Sequence, residues 1–216
     1  MRAARTAAVA AVLAASTFAS AASGAARTCN LVVDRTGDQV HPLSDTGVQL
    51  MSDDLDVVGA DVATSRKYVT GVIRLVSLRE TDLDAPTGRA YAVAFTVGGH
   101  RYSMRATYGP DGYSASAWDE DTGTGIGDAA VVFDHAKREV RLTTWAATFG
   151  IVPGSRLSQI GVVTGQRYGT NGGRGVSAGV GPGVWAGGGG MTQETDYATG
   201  SRDYVAGTPS CVTAGR

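Results

Sequence analysis

The run Asp34-Arg35-Thr36-Gly37-Asp38 sets two carboxylates on either side of a glycine that can bend the backbone, and Asp53, Asp54 and Asp56 follow one loop later. Calcium takes roughly six to eight hard oxygen ligands, carboxylates and carbonyls together, and favours tight turns that gather them. Asp34, Asp38 and Asp56 are therefore candidate ligands of a structural calcium ion. The spacing is not that of an EF-hand loop. An aspartate-rich turn also has a competing use, because such side chains bond their own backbone in solvated turns. A second acidic run, Asp119, Glu120, Asp121 and Asp128, offers the same chemistry and the same competing use.

Catalytic patterns are weaker. Gly175-Val176-Ser177-Ala178-Gly179 spells a nucleophile elbow, which has meaning only between a strand and a helix, with its histidine later in the chain. Here His41, His100 and His135 all precede Ser177, and the motif lies in glycine-rich sequence. Gly181-Pro182-Gly183-Val184-Trp185-Ala186 imitates a dinucleotide fingerprint, yet further glycines stand where a helix should begin. No two histidines share a zinc-type spacing, and nothing in the sequence selects a carboxylate pair for glycoside hydrolysis. No catalytic residue is assigned, and the reading leans away from an enzyme.

Aromatic residues offer binding chemistry. Trp118, Trp145 and Trp185, with Tyr108 and Tyr113, could present flat rings to sugar faces, although rings in a small sandwich more often pack. Trp185 and Trp145 are the candidate ligand-binding residues, Trp185 because it falls in a loop-like segment.

The remaining chemistry concerns compartment. Arg2 and Arg5 precede an apolar run from Thr6 to about Phe18, then small residues through Ala26 with no acid. That is the pattern of a secretory signal peptide over residues 1–26, too short to span a bilayer. Its removal takes out two arginines and moves the formal net charge from −1 to about −3, with no basic run left to suggest nucleic-acid binding. No later segment is long and apolar enough for a membrane span. With an export signal, two cysteines predict one disulfide, Cys29 to Cys211, worth roughly 5 kcal/mol by chain entropy. A lipid anchor on Cys29 is the rival use, and the charged Arg27 beside it fits that signal poorly.

Elements must position these groups. Leu55–Thr64 and Tyr68–Leu78 are rich in Val, Ile and Leu around a Ser65-Arg66-Lys67 turn, and Tyr91, Val93, Phe95 and Val97 alternate with alanines and Thr96. After a Gly98-Gly99 turn, Tyr102, Met104, Ala106 and Tyr108 alternate with polar residues. Short strands follow at 113–118, 129–133, 139–144, 158–164 and 196–205, with one helical turn near Ala146–Gly150. Eleven glycines among residues 169–190 predict a long surface loop. About nine strands with no long helix predict an all-β chain, an antiparallel β-sandwich of jelly-roll type, as a single domain over 27–216 closed by the terminal disulfide.

The order of features resembles secreted bacterial β-sandwich domains of the DOMON and xylanase-associated carbohydrate-binding kinds. The resemblance is carried by Val33–Asp38, Asp54-Leu55-Asp56-Val57-Val58, the hairpin Ala90–Tyr108 and Thr195-Asp196-Tyr197-Ala198. It implies a jelly-roll-like sandwich with calcium near the early acidic turn, at Asp34 and Asp38, with Asp56 as a further ligand. The turn lacks the second adjacent aspartate and following tyrosine of the carbohydrate-binding members, and no axial haem pair can be placed. The expectation is a secreted, non-catalytic module that binds polysaccharide or another cell-envelope component. An extracellular hydrolase or its accessory factor, and a cell-surface structural protein without a small ligand, stand as alternatives.

Overall fold

The computed structural model describes residues 27–39, 53–79, 88–109, 112–168, 184–187 and 190–215, so the export-signal segment 1–26 lies outside the described residues. The period-two segments become strands β1 (Val32–Val33), β2 (Val57–Thr64), β3 (Tyr68–Leu75), β4 (Arg89–Val97), β5 (His100–Gly109), β6 (Gly112–Asp119) and β7 (Thr124–Asp128). The chain continues through β8 (Ala130–Asp134), β9 (Glu139–Trp145), a 3-10 turn at Ala146–Phe149, β10 (Arg156–Tyr168), β11 (Val184–Gly187), β12 (Gly190–Thr199) and β13 (Tyr204–Val205). All ladders between these strands are antiparallel. The smaller sheet has five strands in the order β1-β2-β3-β9-β8; the larger runs β11-β12-β10-β4-β5-β6-β7, with β13 paired to the start of β10.

Alternation explains the core. Ile73, Val140 and Leu142 of the smaller sheet pack with Tyr91, Val93, Phe95, Met104 and Val162 of the larger, which is the layered burial an antiparallel sandwich needs. The β4–β5 hairpin turns on Gly98 and Gly99, both at positive φ (+60° and +87°), the backbone a two-residue turn of this kind demands. β4 departs from the one-sided pattern expected of it. Its alanine face, Ala90, Ala92 and Ala94, is also fully buried, clustered with Val163 and Tyr197.

The segments around Cys29 and Cys211 meet beside β2. Cys29 and Cys211 form the expected disulfide, with Cα atoms 5.1 Å apart across 182 residues. Backbone bonds from Thr28 N to Pro209 O and from Cys211 N to Thr28 O flank it. Gly200 permits the first segment to pass close to the end of β12: a Cβ there would stand 2.0 Å from Leu31 O.

Two loop expectations change. Asp119–Asp128, the interval left between the strands expected at 113–118 and 129–133, is a short turn followed by β7. The stretch 169–190, expected as loop throughout, contains β11, and β12 begins at its last residue. Glycine carries the same backbone donor and acceptor as any residue, so pairing of β11 with β12, and of β12 with β10, can hold such sequence in a ladder. The rest of that stretch, 169–183 and 188–189, lies outside the described residues.

Candidate metal centre

The turn after β1 and the opposing strand β12 bring three carboxylates together. One ligand oxygen from each of Asp34, Asp38 and Asp196 lies within 4.8 Å of the others. Asp34 and Asp38 come from the predicted turn, whereas Asp196 sits on β12 of the larger sheet and faces the interior beside Ala198. Asp196 Oδ2 accepts a hydrogen bond from Val57 N at 2.7 Å, fixing the cluster against the start of β2. The site therefore takes groups from both sheets.

Asp56, the third predicted ligand, is 3 % exposed and lies beside this trio. Its Oδ2 accepts from Gly37 N at 2.8 Å and so shapes the turn between Asp34 and Asp38, while its Oδ1 has no hydrogen-bond partner. Asp34 Oδ1 is bound by Arg35 N, and its Oδ2 is buried without a partner. Gln39, next after Asp38 and 6 % exposed, also has an unpartnered Oε1. Buried oxygens without donors are costly, and among the described residues those of Asp34, Gln39 and Asp56 gather around one turn, with Asp54 Oδ1 the other such oxygen.

The electrostatics agree. Burial pushes the Asp196 carboxyl up; the Val57 bond opposes this, the charges of Asp34 and Asp38 add to it, and the result is about 6. Asp34 is raised by burial, against its backbone bond and helped by Asp38 and Asp56. Asp56 is raised by burial and by Asp38 and Asp53, against the Gly37 bond. Among the described residues, no basic side chain is a cause of the shift at any of these three. Hard oxygens without nitrogen or sulfur donors suit calcium rather than zinc. The residues fit such an ion, with Asp34, Asp38 and Asp196 as carboxylate ligands and Asp56 holding the turn.

Asp54, two residues before Asp56, has the opposite surroundings. It is fully buried and ion-paired with the equally buried Arg89 and with Arg79, whose Nε lies 2.9 Å away. Burial pushes its carboxyl up, but the Ser77 hydroxyl and the two guanidinium groups outweigh that and hold it below the ordinary range. The second acidic run is used locally. Asp119 Oδ1 accepts from Asp121 N and Thr122 N, Asp121 from Arg101 N, and Glu120 is paired with Arg105 under Trp118.

Other predicted residues divide. Trp145 is 47 % exposed at the end of β9 and leans on Tyr68, ring centroids 4.8 Å apart. Trp185 belongs to β11, paired with Thr192, and its side chain lies outside the described residues. His100 is exposed beside Asp121 and His135 Nδ1 contacts Leu78 O, so neither joins a metal cluster. Sequence reasoning missed Asp196. The available signal was an acid at an inward position of the closing strand, in register with Thr164. Among the described residues no helix is long and apolar enough to cross a membrane. Comparison with known proteins finds no matching family model, no similar curated protein and no similar solved structure.

Proposed function

We propose that this protein is a secreted, non-catalytic β-sandwich that serves as an extracellular binding module, with calcium as a structural cofactor held by Asp34, Asp38 and Asp196. The observation that carries the cofactor is the gathering of those carboxylates with the buried, unpartnered oxygens of Asp34 and Asp56, where no basic side chain among the described residues opposes their charge. A bound ion would neutralise the cluster and tie the two sheets at one end. Calcium at about a hundred times its Kd should stabilise the fold by about 2.7 kcal/mol. The measurement is thermal melting of the secreted protein in calcium and in EGTA. Equal midpoints, with no heat of calcium binding by calorimetry, would sink the proposal.

Export is supported by the signal-like residues 1–26 and by the disulfide between the chain ends. The exposed Trp145, stacked on the half-buried Tyr68, supports a ligand with flat apolar faces, polysaccharide or another cell-envelope component. Pull-down on insoluble polysaccharide should retain the protein, and Trp145→Ala should lower retention about tenfold. Turnover of a polymer without retention would instead favour the hydrolase alternative.

A further inference from the structure

A separate feature lies on the outer face of the smaller sheet. Residues directly opposite in an antiparallel ladder share a face, so Ala63, Thr70 and Thr143 form one outward row and Asp61, Val72 and Arg141 the next. Outward positions should meet solvent, yet Ala63, Thr70, Val72 and Thr143 are at most 3 % exposed. The last residues of the chain lie over them. Arg141 Nη1 donates to Thr213 O at 3.0 Å, Gly215 N donates to Thr70 Oγ1 at 3.2 Å, and Thr143 Oγ1 donates to Gly215 O. Past Cys211, the segment runs along the face toward the next outward row, Tyr68 and Trp145.

We propose that this face is a track for an extended, small-residue peptide, and that residues 212–215 occupy it in cis. Three observations carry this. The contacts named are to main-chain groups of the segment, so they would recognise any peptide of similar shape. The side chains beneath, Ala63, Thr70, Val72 and Thr143, are small enough for a backbone to approach. The segment is also lightly held: a cavity of about 560 Å³ stands between Thr208–Ala214 and the end of β2 at Ala63–Ser65. The hydroxyls of Thr64, Tyr204 and Ser210 in that cavity already bond protein groups, so the cavity is not itself a polar ligand site. Tyr68 and Trp145 extend the track beyond the described tail and would meet the next residues of a longer peptide. The track rests on none of the calcium geometry.

The tail, tethered at Cys211, competes at an effective concentration of about millimolar, so the test loosens it without touching the track. Gly215 sits at φ +153° and donates to Thr70. Gly215→Pro in the full chain removes that donor and forbids that φ. The probe is the free peptide Val-Thr-Ala-Gly-Arg, the sequence of residues 212–216. Amide NMR of Gly215→Pro should show saturable shifts at Thr70, Thr143 and Trp145, with affinity at least about tenfold above that of the native chain. Adding Thr143→Val should abolish them while the melting temperature stays within a few degrees. Carboxypeptidase should trim the tail faster in Arg141→Ala than in the native protein. Unchanged trimming in that variant, absence of saturable shifts with the tail shown to be free, or equal affinity in the native chain would each overturn the proposal.

Discussion

Asp54 and Asp56 are separated by one residue, are both buried, and have opposite fates. Asp54 meets Arg89 and Arg79 and is held ionised in a compensated network. Asp56 meets Gly37 N, Asp34 and Asp38, with no basic side chain among the described residues acting on it. A buried charge needs a partner that is either part of the chain or brought from solution. The contrast teaches that one end of this sandwich uses both: arginine on β4 serves one carboxylate, and a calcium ion is the partner we propose for the other group.

The largest test breaks the compensated half. Arg89→Met should cost about 3–5 kcal/mol, because Asp54 keeps the neutral Ser77 hydroxyl but only the partly exposed Arg79 as a counter-charge, and denaturant unfolding should show it in calcium and in EGTA alike. A loss seen only in EGTA would mean that the two regions are one network. Next, Asp196→Asn should abolish the calcium-dependent gain of about 2.7 kcal/mol while leaving the metal-free protein as stable as before or more so. Calorimetric calcium binding undiminished in that variant would remove Asp196 from the site.

A smaller effect sharpens the contrast through pH. The folded-state pKa of Asp196 is raised to about 6, so its stabilising contribution is full below its unfolded value and is lost as pH rises through about 6. Asp34 and Asp56, also raised, act in the same direction. In EGTA, stability should fall between about pH 4 and 6 by an amount on the order of 2 kcal/mol. Calcium binding requires the ionised carboxylates, so in calcium the slope should flatten or reverse. Asp54, whose folded pKa is depressed, contributes stability above its unfolded value and loses it only as pH falls through its folded value, at the acid end of the titration. Parallel slopes with and without calcium would contradict the assignment. The smallest effect belongs to a control outside both regions. Trp145→Ala should lower stability by less than about 1 kcal/mol and leave the calcium response unchanged.

Much of the frame was legible because its signals are local. Gly98-Gly99, the Ser65–Lys67 turn and the alternation through Tyr91–Phe95 announce strands and hairpins without reference to the rest of the chain. The Asp34–Asp38 turn was visible for the same reason. Other features were not, since each depends on what lies across a sheet or between sheets. β11 and the first residue of β12 fall inside a glycine-rich stretch, whose composition hides strands that their pairing reveals. The alanine face of β4 resembles a solvent face until its burial is seen.

By itself the sequence determined the all-β class, the turn positions and the cysteine pairing, since two cysteines admit one intramolecular bridge and short-range chemistry specifies a turn. Only the tertiary structure decided that Asp196 joins Asp34 and Asp38, that Arg89 rather than a metal compensates Asp54, and that the last residues cover Thr70 and Thr143. The physical reason is that alternation sets which face a side chain occupies, whereas the partner it meets there comes from a strand far away in the chain.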